Sequence, residues 1–276
     1  MINSTDKHFL DVFSESFKIA IRTLVTPKIV AHQPSGHGEE FISASVLPGA
    51  HKLSGAELVE YVNNRQQFFQ AELSPLTSEQ HKARLMHPKY LIKSNFNASK
   101  VEISDFDDEI PEACEGGGLI EAWEYFKQYG ACSGGDYGEA DVCKPYVFHP
   151  CGHHRKEKYY GKCPNHMFPT PSCKRVCQSG YNKSYEKDKI YGKSAYMVPN
   201  DETLIQKEIM KNGPVQAAFS VFEDFSHYKS GIYVHTAGQQ DGGHAVKLIG
   251  WGVEGGIKYW LVANSWSVDW GENGIP

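Results

Sequence analysis

The chain has 276 residues, 40% of them hydrophobic and 22% charged, with a formal net charge of −5. That composition suits one large or two small domains with a packed core and excludes wholesale disorder. No basic block stands out, which speaks against nucleic acid as a partner, and no apolar run is long enough to span a bilayer.

The N-terminal stretch lacks a clear signal peptide, because its most apolar part, Ile19 to Val30, is interrupted by Arg22 and Lys28. Residues 1–45 show no sustained period, and the segment 1–49 stays unassigned. A helix is expected in "LSGAELVEYVNNRQQFF", with Ser54 as N-cap and Glu57 three residues on as a capping box. Leu58, Val62 and Gln66 share one face, with Val59 and Phe69 beside it. Residues 70–112 are mixed and polar and read as extended chain lying on something else. "LIEAWEYFKQY", Leu119 to Tyr129, carries Leu119, Ile120, Trp123 and Phe126 at helical spacing, and Gly130 is a fitting stop.

Residues 131–192 are rich in Gly, Pro, Cys, Tyr and His and have no period. "DETLIQKEIMKNGP" reads as a helix capped by Asp201, with Leu204, Ile205 and Ile209 inward and Asn212-Gly213-Pro214 at its end. Strands are then expected in "VQAAFSVF", "GIYVH", "HAVKLIGWG" and "KYWLVANSW", forming a small antiparallel sheet or barrel.

All seven cysteines lie between Cys114 and Cys177. A cluster this dense reads as disulfide-stapled loops made in an oxidising compartment. The sequons at Asn3, Asn97 and Asn182 fit the same compartment. The odd count leaves at least one cysteine free or paired outside the chain.

His244 follows Gly242-Gly243, where a bare backbone would let a substrate approach closely. A strand follows it as a rigid mount. At the end of the next strand stands Asn264, with Trp266 beyond. Neighbouring strands would bring Asn264 beside the imidazole, where its carbonyl oxygen fixes the tautomer and aims the other nitrogen. Trp266 would roof that hydrogen bond against water.

On these residues the sequence resembles the papain-like cysteine proteases: "GGHAVKLIGWG", "YWLVANSW" and "DWGENG" look like the family's His and Asn segments. "CKPYVFHPCGHHRKEKYYGKC" and "CKRVCQSGY" resemble the occluding loop and flanking disulfides of the cathepsin B-like subgroup. "LSGAELVEYVNNRQQFFQAELSP" resembles its propeptide. The resemblance covers roughly residues 50–276. It implies an α+β, papain-like two-domain fold, with the helical domain incomplete and the C-terminal antiparallel sheet or barrel domain largely present. The implied division is a propeptide-like segment at 50–112 and a shortened peptidase domain at 113–276. In that domain the occluding-loop region is about 143–177 and the β domain about 190–276.

The resemblance also assigns roles. His244 is the base and Asn264 its orienting partner. Gly116, Gly117, Gly243 and Trp266 fall on the substrate-binding side, and His153 and His154 match the pair that takes a substrate's carboxyl end, implying dipeptide removal. Cys143 pairs with Cys177, and Cys151 with Cys163. Substrates would be peptides or proteins, cystatin-like inhibitors would bind, and the location would be lysosomal or extracellular. No cofactor is implied.

The family's nucleophile segment, of the form C-G-[SA]-C-[WY], has no counterpart here, and the oxyanion-hole Gln goes with it. Cys114 precedes a helix and lies about 130 residues before His244, within the usual nucleophile-to-His spacing of about 130–150. Yet "CEGGGLIEAW" matches the family segment after the central helix, whose Cys is a half-cystine. The resemblance runs as propeptide to "DDEIPE" and resumes at "ACEGGG". On that reading Cys114 and Cys173 lose their partners, Cys132 has no family partner, and a Cys114–Cys132 bridge stays open. "GENGIP" stops where the family continues with another strand, which implies a sheet open at one edge.

Three functions compete: a cathepsin B-like peptidase lacking its nucleophile, a non-catalytic protein that binds peptides or inhibitors, and a zinc module built from His149, Cys151, His153, His154, Cys163 and His166. The last set matches no tight finger spacing.

Overall fold

A computed structural model describes residues 28–30, 46–91, 116–152, 158–164, 168, 171–266 and 269–272. Cys114, His153, His154, His166 and the junction at 112–113 lie outside the described residues. The chain divides into two compact units: Met1–Arg22, Ile92–Met197 and Ser265–Ser267 form one, and Thr23–Leu91, Val198–Asn264 and Val268–Pro276 the other.

The second unit begins with strand β1 (Lys28–Val30), helix α1 (Gly55–Arg65), strand β2 (Phe69–Ala71) and helix α2 (Ser78–Lys82). Leu58 and Val62 on α1 are fully buried, as the spacing anticipates. Ser54 is the N-cap, but its side chain makes no capping hydrogen bond, so the expected capping box does not form. Gln66 is buried for a different reason from its helical spacing. Its carboxamide oxygen accepts the amides of Phe68 and Phe69 at 2.6 and 2.9 Å, and its nitrogen donates to the Phe69 carbonyl at 2.6 Å. The side chain thus closes the turn from α1 into β2, with its polar atoms satisfied. The stretch expected to be wholly extended holds α2, whose N-cap Thr77 and Gln80 form a true capping box.

The first unit contains α3 (Leu119–Tyr129), two-residue strands β3 (Gly134–Gly135) and β4 (Lys144–Pro145) paired in parallel, and α4 (Tyr185–Asp188). Gly130 ends α3 at φ +72, and a Cβ there would press on the Ile190 carbonyl oxygen at 2.9 Å. Disulfides join Cys143 to Cys177 and Cys151 to Cys163. Two polar side chains hold the loops as well. Asp188 accepts the amide and hydroxyl of Ser133, both at 2.7 Å, and the Tyr181 hydroxyl at 2.6 Å. Gln178 donates to the carbonyls of Glu139 and Val142 at 2.7 and 2.6 Å.

The second unit resumes with α5 (Glu202–Asn212), β5 (Val215–Phe222), α6 (Glu223–Ser226), β6 (Tyr228–Tyr233), β7 (Gln240–Glu254) and β8 (Ile257–Ala263). Asp201 caps α5 through its carboxylate, which accepts the Leu204 amide at 2.8 Å. Ile205 and Ile209 pack on Val246, Leu248 and Val262, whereas Leu204, expected inward, is 43% exposed. The strands run β2-β6-β1-β8-β7-β5, an open order rather than a barrel. The unassigned N-terminal segment supplies β1 to its middle, parallel to β6 and antiparallel to β8.

Behind the sheet, Phe225 is fully buried among Phe219, Tyr233 and Trp270, with ring centroids 4.8–5.2 Å away. Asp224 beside it is also fully buried. Its carboxylate accepts the Tyr233 hydroxyl at 2.7 Å and the amides of Thr236 and Ala237 at 2.7 and 3.1 Å, which fixes the turn between β6 and β7.

Candidate active site

His244 sits in the first third of β7, opposite Phe219 of β5, and Asn264 directly follows β8. The antiparallel pairing of β7 with β8 brings the two side chains together: Nε2 of His244 lies 2.8 Å from Oδ1 of Asn264, and both residues are buried. An amide oxygen can only accept, so Nε2 carries the proton and Nδ1 presents its lone pair. That is the tautomer a general base needs when its other nitrogen is held. The Phe219 ring meets the imidazole edge-on at 6.0 Å.

Burial pushes the imidazole down to about 4. The Asn264 bond pulls it back and the Arg84 charge pushes it further down. His244 is therefore neutral at mild acid and neutral pH. A neighbouring thiolate would raise it, since opposite charges stabilise each other.

The glycines before His244 do allow a close approach, but the partner is the chain itself. Met86 and Gly243 exchange two backbone hydrogen bonds, each 2.9 Å. A Cβ on Gly243 would lie 3.0 Å from Leu91 and 3.1 Å from Met86, and one on Gly242 would lie 2.9 Å from Leu85. Residues 84–91 thus lie against the strand that bears His244. The polar, aperiodic pattern of residues 70–112 anticipates a chain lying on something else; that its partner is the His244 strand is settled by the two backbone hydrogen bonds of Met86.

The docked segment is fastened at further points. Gly231, at φ +98, has no room for a Cβ against the Phe68 carbonyl, so β2 packs directly on β6. Glu72 donates its amide to the His227 carbonyl at 2.8 Å, and the Ser74 amide donates to Nδ1 of His227 at 3.1 Å. The Ser74 hydroxyl lies 2.7 Å from Nε2 of the buried His81. Lys82 pairs with Asp241 at 3.3 Å. Burial, with the Arg84 and His227 charges, pushes His81 down to about 3. Burial also lowers His227, and it raises Asp241 and Glu223.

The other expected site residues lie in the first unit. Gly116, at φ +111, and Gly117 precede α3. Trp266 is buried at 2% exposure. Cys132 and Cys173 carry free thiols. The Cys151–Cys163 bridge takes two thiolates from the zinc alternative, since disulfide sulfur is not a thiolate ligand.

Sequence similarity places the chain in a family. The papain family of cysteine proteases matches residues 80–275, and the chain belongs to that family. Among curated relatives, a cathepsin B-like cysteine proteinase 2 of Haemonchus contortus is 58% identical over 163 residues, covering 59% of this chain and 47% of the relative. Over such matches the chain spans about half the length of the relatives. A cathepsin B-like cysteine proteinase 1 of Ostertagia ostertagi is 39% identical over 309 residues, covering 87% of this chain and 89% of the relative. That matched span exceeds the chain's own 276 residues, so the relative carries internal residues with no counterpart here. A procathepsin B from Trypanosoma congolense has 33% identity, a TM-score of 0.44, and covers 58% of this chain and 47% of that one. Among the described residues, no helix is long and apolar enough to cross a membrane.

Proposed function

We propose that this chain is a cathepsin B-like peptidase framework that does not turn over peptide. The supporting observation is a base and its orienting amide, His244 and Asn264, in a sequence without the nucleophile segment. In the full reaction a thiol would give its proton to Nδ1 and attack the substrate carbonyl, and the imidazolium would protonate the leaving amine. His244 and Asn264 can supply the proton steps, but no covalent step is available to them. Cys114 is a half-cystine on this reading. The inserted residues of the longer relatives correspond to the stretch between "DDEIPE" and "ACEGGG". Residues 50–91 act as a propeptide-like cover on the His244 strand.

The substrate class of the parent activity is peptides cleaved near their carboxyl end, with His153 and His154 as the carboxylate-binding pair. The disulfides fit a lysosomal or extracellular setting. Purified chain incubated at mildly acid pH with a dipeptidyl fluorogenic substrate should give no hydrolysis, and a thiol-directed active-site probe should leave it unlabelled. Turnover with labelling at Cys114 would overturn the reading.

A second reading makes the framework a decoy for peptides or cystatin-like inhibitors. It is favoured by the Gly243 backbone groups, which already hold Met86 through one antiparallel bridge. Calorimetric binding of a cystatin after proteolytic removal of residues 46–91, with no turnover, would support it. Absence of binding would count against it.

A further inference from the structure

The free thiols of Cys132 and Cys173 belong to segments that are already tied together. Cys132 precedes Ser133, whose carbonyl accepts the Lys144 amide at 3.0 Å and whose hydroxyl accepts the Cys143 amide at 2.8 Å. Cys143 is bonded to Cys177 with their Cα atoms 4.4 Å apart. Cys173 stands four residues before Cys177. Lys144 joins the same two segments again, because its ammonium donates to the carbonyl of Lys174, the residue after Cys173.

Tyr185 is the common neighbour. The Lys144 ammonium lies over its ring at 4.9 Å. Burial, together with the charges of Cys132, Tyr125, Cys173 and Glu186, pushes its hydroxyl up to about 12. Both sulfurs are therefore within electrostatic range of one phenol. Residues 171–174 are exposed coil. Four residues of extended chain reach at most about 14 Å, so Cys173 can swing about its Cys177 anchor.

We propose that Cys132 and Cys173 close a third disulfide by exchange with a small-molecule disulfide of the oxidised glutathione type. Exposed Cys173 enters first. Its thiolate attacks one sulfur of the small disulfide, that S–S bond breaks, and one small thiol leaves and takes up a proton. Cys132 then gives its proton to solvent and attacks the Cys173 sulfur. The mixed bond breaks and the second small thiol leaves. Two protein thiols are oxidised and one small disulfide is reduced to two thiols. Burial holds the Cys132 thiol up, with the Lys144 ammonium opposing, so Cys173 rather than Cys132 is the entry point.

The test uses the full chain in a glutathione redox buffer, blocked with iodoacetamide, digested without reduction and mapped by mass spectrometry. The expected result is a loss of two titratable thiols, no retained glutathione, and a peptide pair linking Cys132 to Cys173. C132S should stop at the first step and keep one glutathione on Cys173. Retention of glutathione on Cys173 in the unmutated chain would overturn the proposal, as would linkage of Cys173 to Cys114 or to a second chain. If C132S does not fold, the map of the unmutated chain decides alone. None of these readouts depends on peptidase activity.

Discussion

The two units are stabilised in different ways. The one carrying α3 and the loops has little regular structure after Gly130, and it is fastened at points: two disulfides, the Asp188 carboxylate and the Gln178 carboxamide. The one carrying the sheet is held by area, with Leu58, Val62, Val221, Phe225 and Val262 each 2% exposed or less. Point fastening tolerates an aperiodic sequence, because each tie needs a few particular residues. A buried face needs a pattern over its whole length. The difference also separates the functional groups: an imidazole with a fixed tautomer stands on the sheet, while the free thiols of Cys132 and Cys173 stand in the tied loops.

The comparison can be broken from either side. Phe225→Ala should cost about 3–5 kcal/mol, as an enclosed aromatic does on truncation, and lower the denaturant midpoint of the sheet unit. Replacing Cys143 and Cys177 together by alanine should cost about 2–5 kcal/mol. Its mark should be rapid proteolysis within residues 131–192 while the sheet transition holds its midpoint. Joint loss of both transitions in either variant would erase the distinction.

Smaller perturbations sharpen it within the sheet unit. Gly243→Ala forces Leu91 and Met86 aside and should weaken docking of residues 84–91 by about 1–3 kcal/mol. Faster protease cleavage near Met86 would report it.

Acid should act next. The docked pKa of His81 is about 3 against 6.5 when free, so the undocked state binds more protons between these values. Docking stability is then fully present above about pH 6.5 and falls as pH drops toward 3. His81 alone implies a weakening of about tenfold at pH 5.5, and His227, also lowered, adds to it. Asp241 and Glu223, raised by burial, oppose the trend, because their docked state favours the proton. Hydrogen exchange of the 55–86 amides across pH 7 to 5 would show the net slope, and His81→Gln should flatten it. Lys258→Ala, which removes an exposed pair with Glu202 at 3.2 Å, should change the midpoint by no more than about 0.5 kcal/mol.

Legibility in the sequence follows the length of a pattern rather than the unit it lies in. α3 was legible end to end because four apolar positions keep helical spacing and Gly130 punctuates it. The His244–Asn264 pairing was legible because two strand patterns and one short connection fix which residues become neighbours. α2 was missed because five residues give no period, and β1 because three give none. Ser54 stands at the N-cap as expected, but its capping box does not form, because a capping motif states which residues could bond and not which rotamers they adopt. Helical spacing puts Gln66 on the buried face but not its turn-closing hydrogen bonds, and Asp224 gives no sequence signal, since a buried polar residue declares itself only through the backbone groups folded around it.

The exchange of hydrogen bonds between Met86 and Gly243 has a consequence for any outside ligand. A tethered segment presents itself at an effective concentration of the millimolar order, whatever the protein concentration. A visiting peptide or inhibitor that needs the Gly243 backbone therefore competes with a resident that dilution cannot remove. Its apparent dissociation constant is its intrinsic one divided by the fraction of molecules with the segment displaced. Protonation of His81 or a cut in the chain near residue 91 would raise that fraction, so a ligand's measured affinity would report the state of the tether as much as the fit of the ligand.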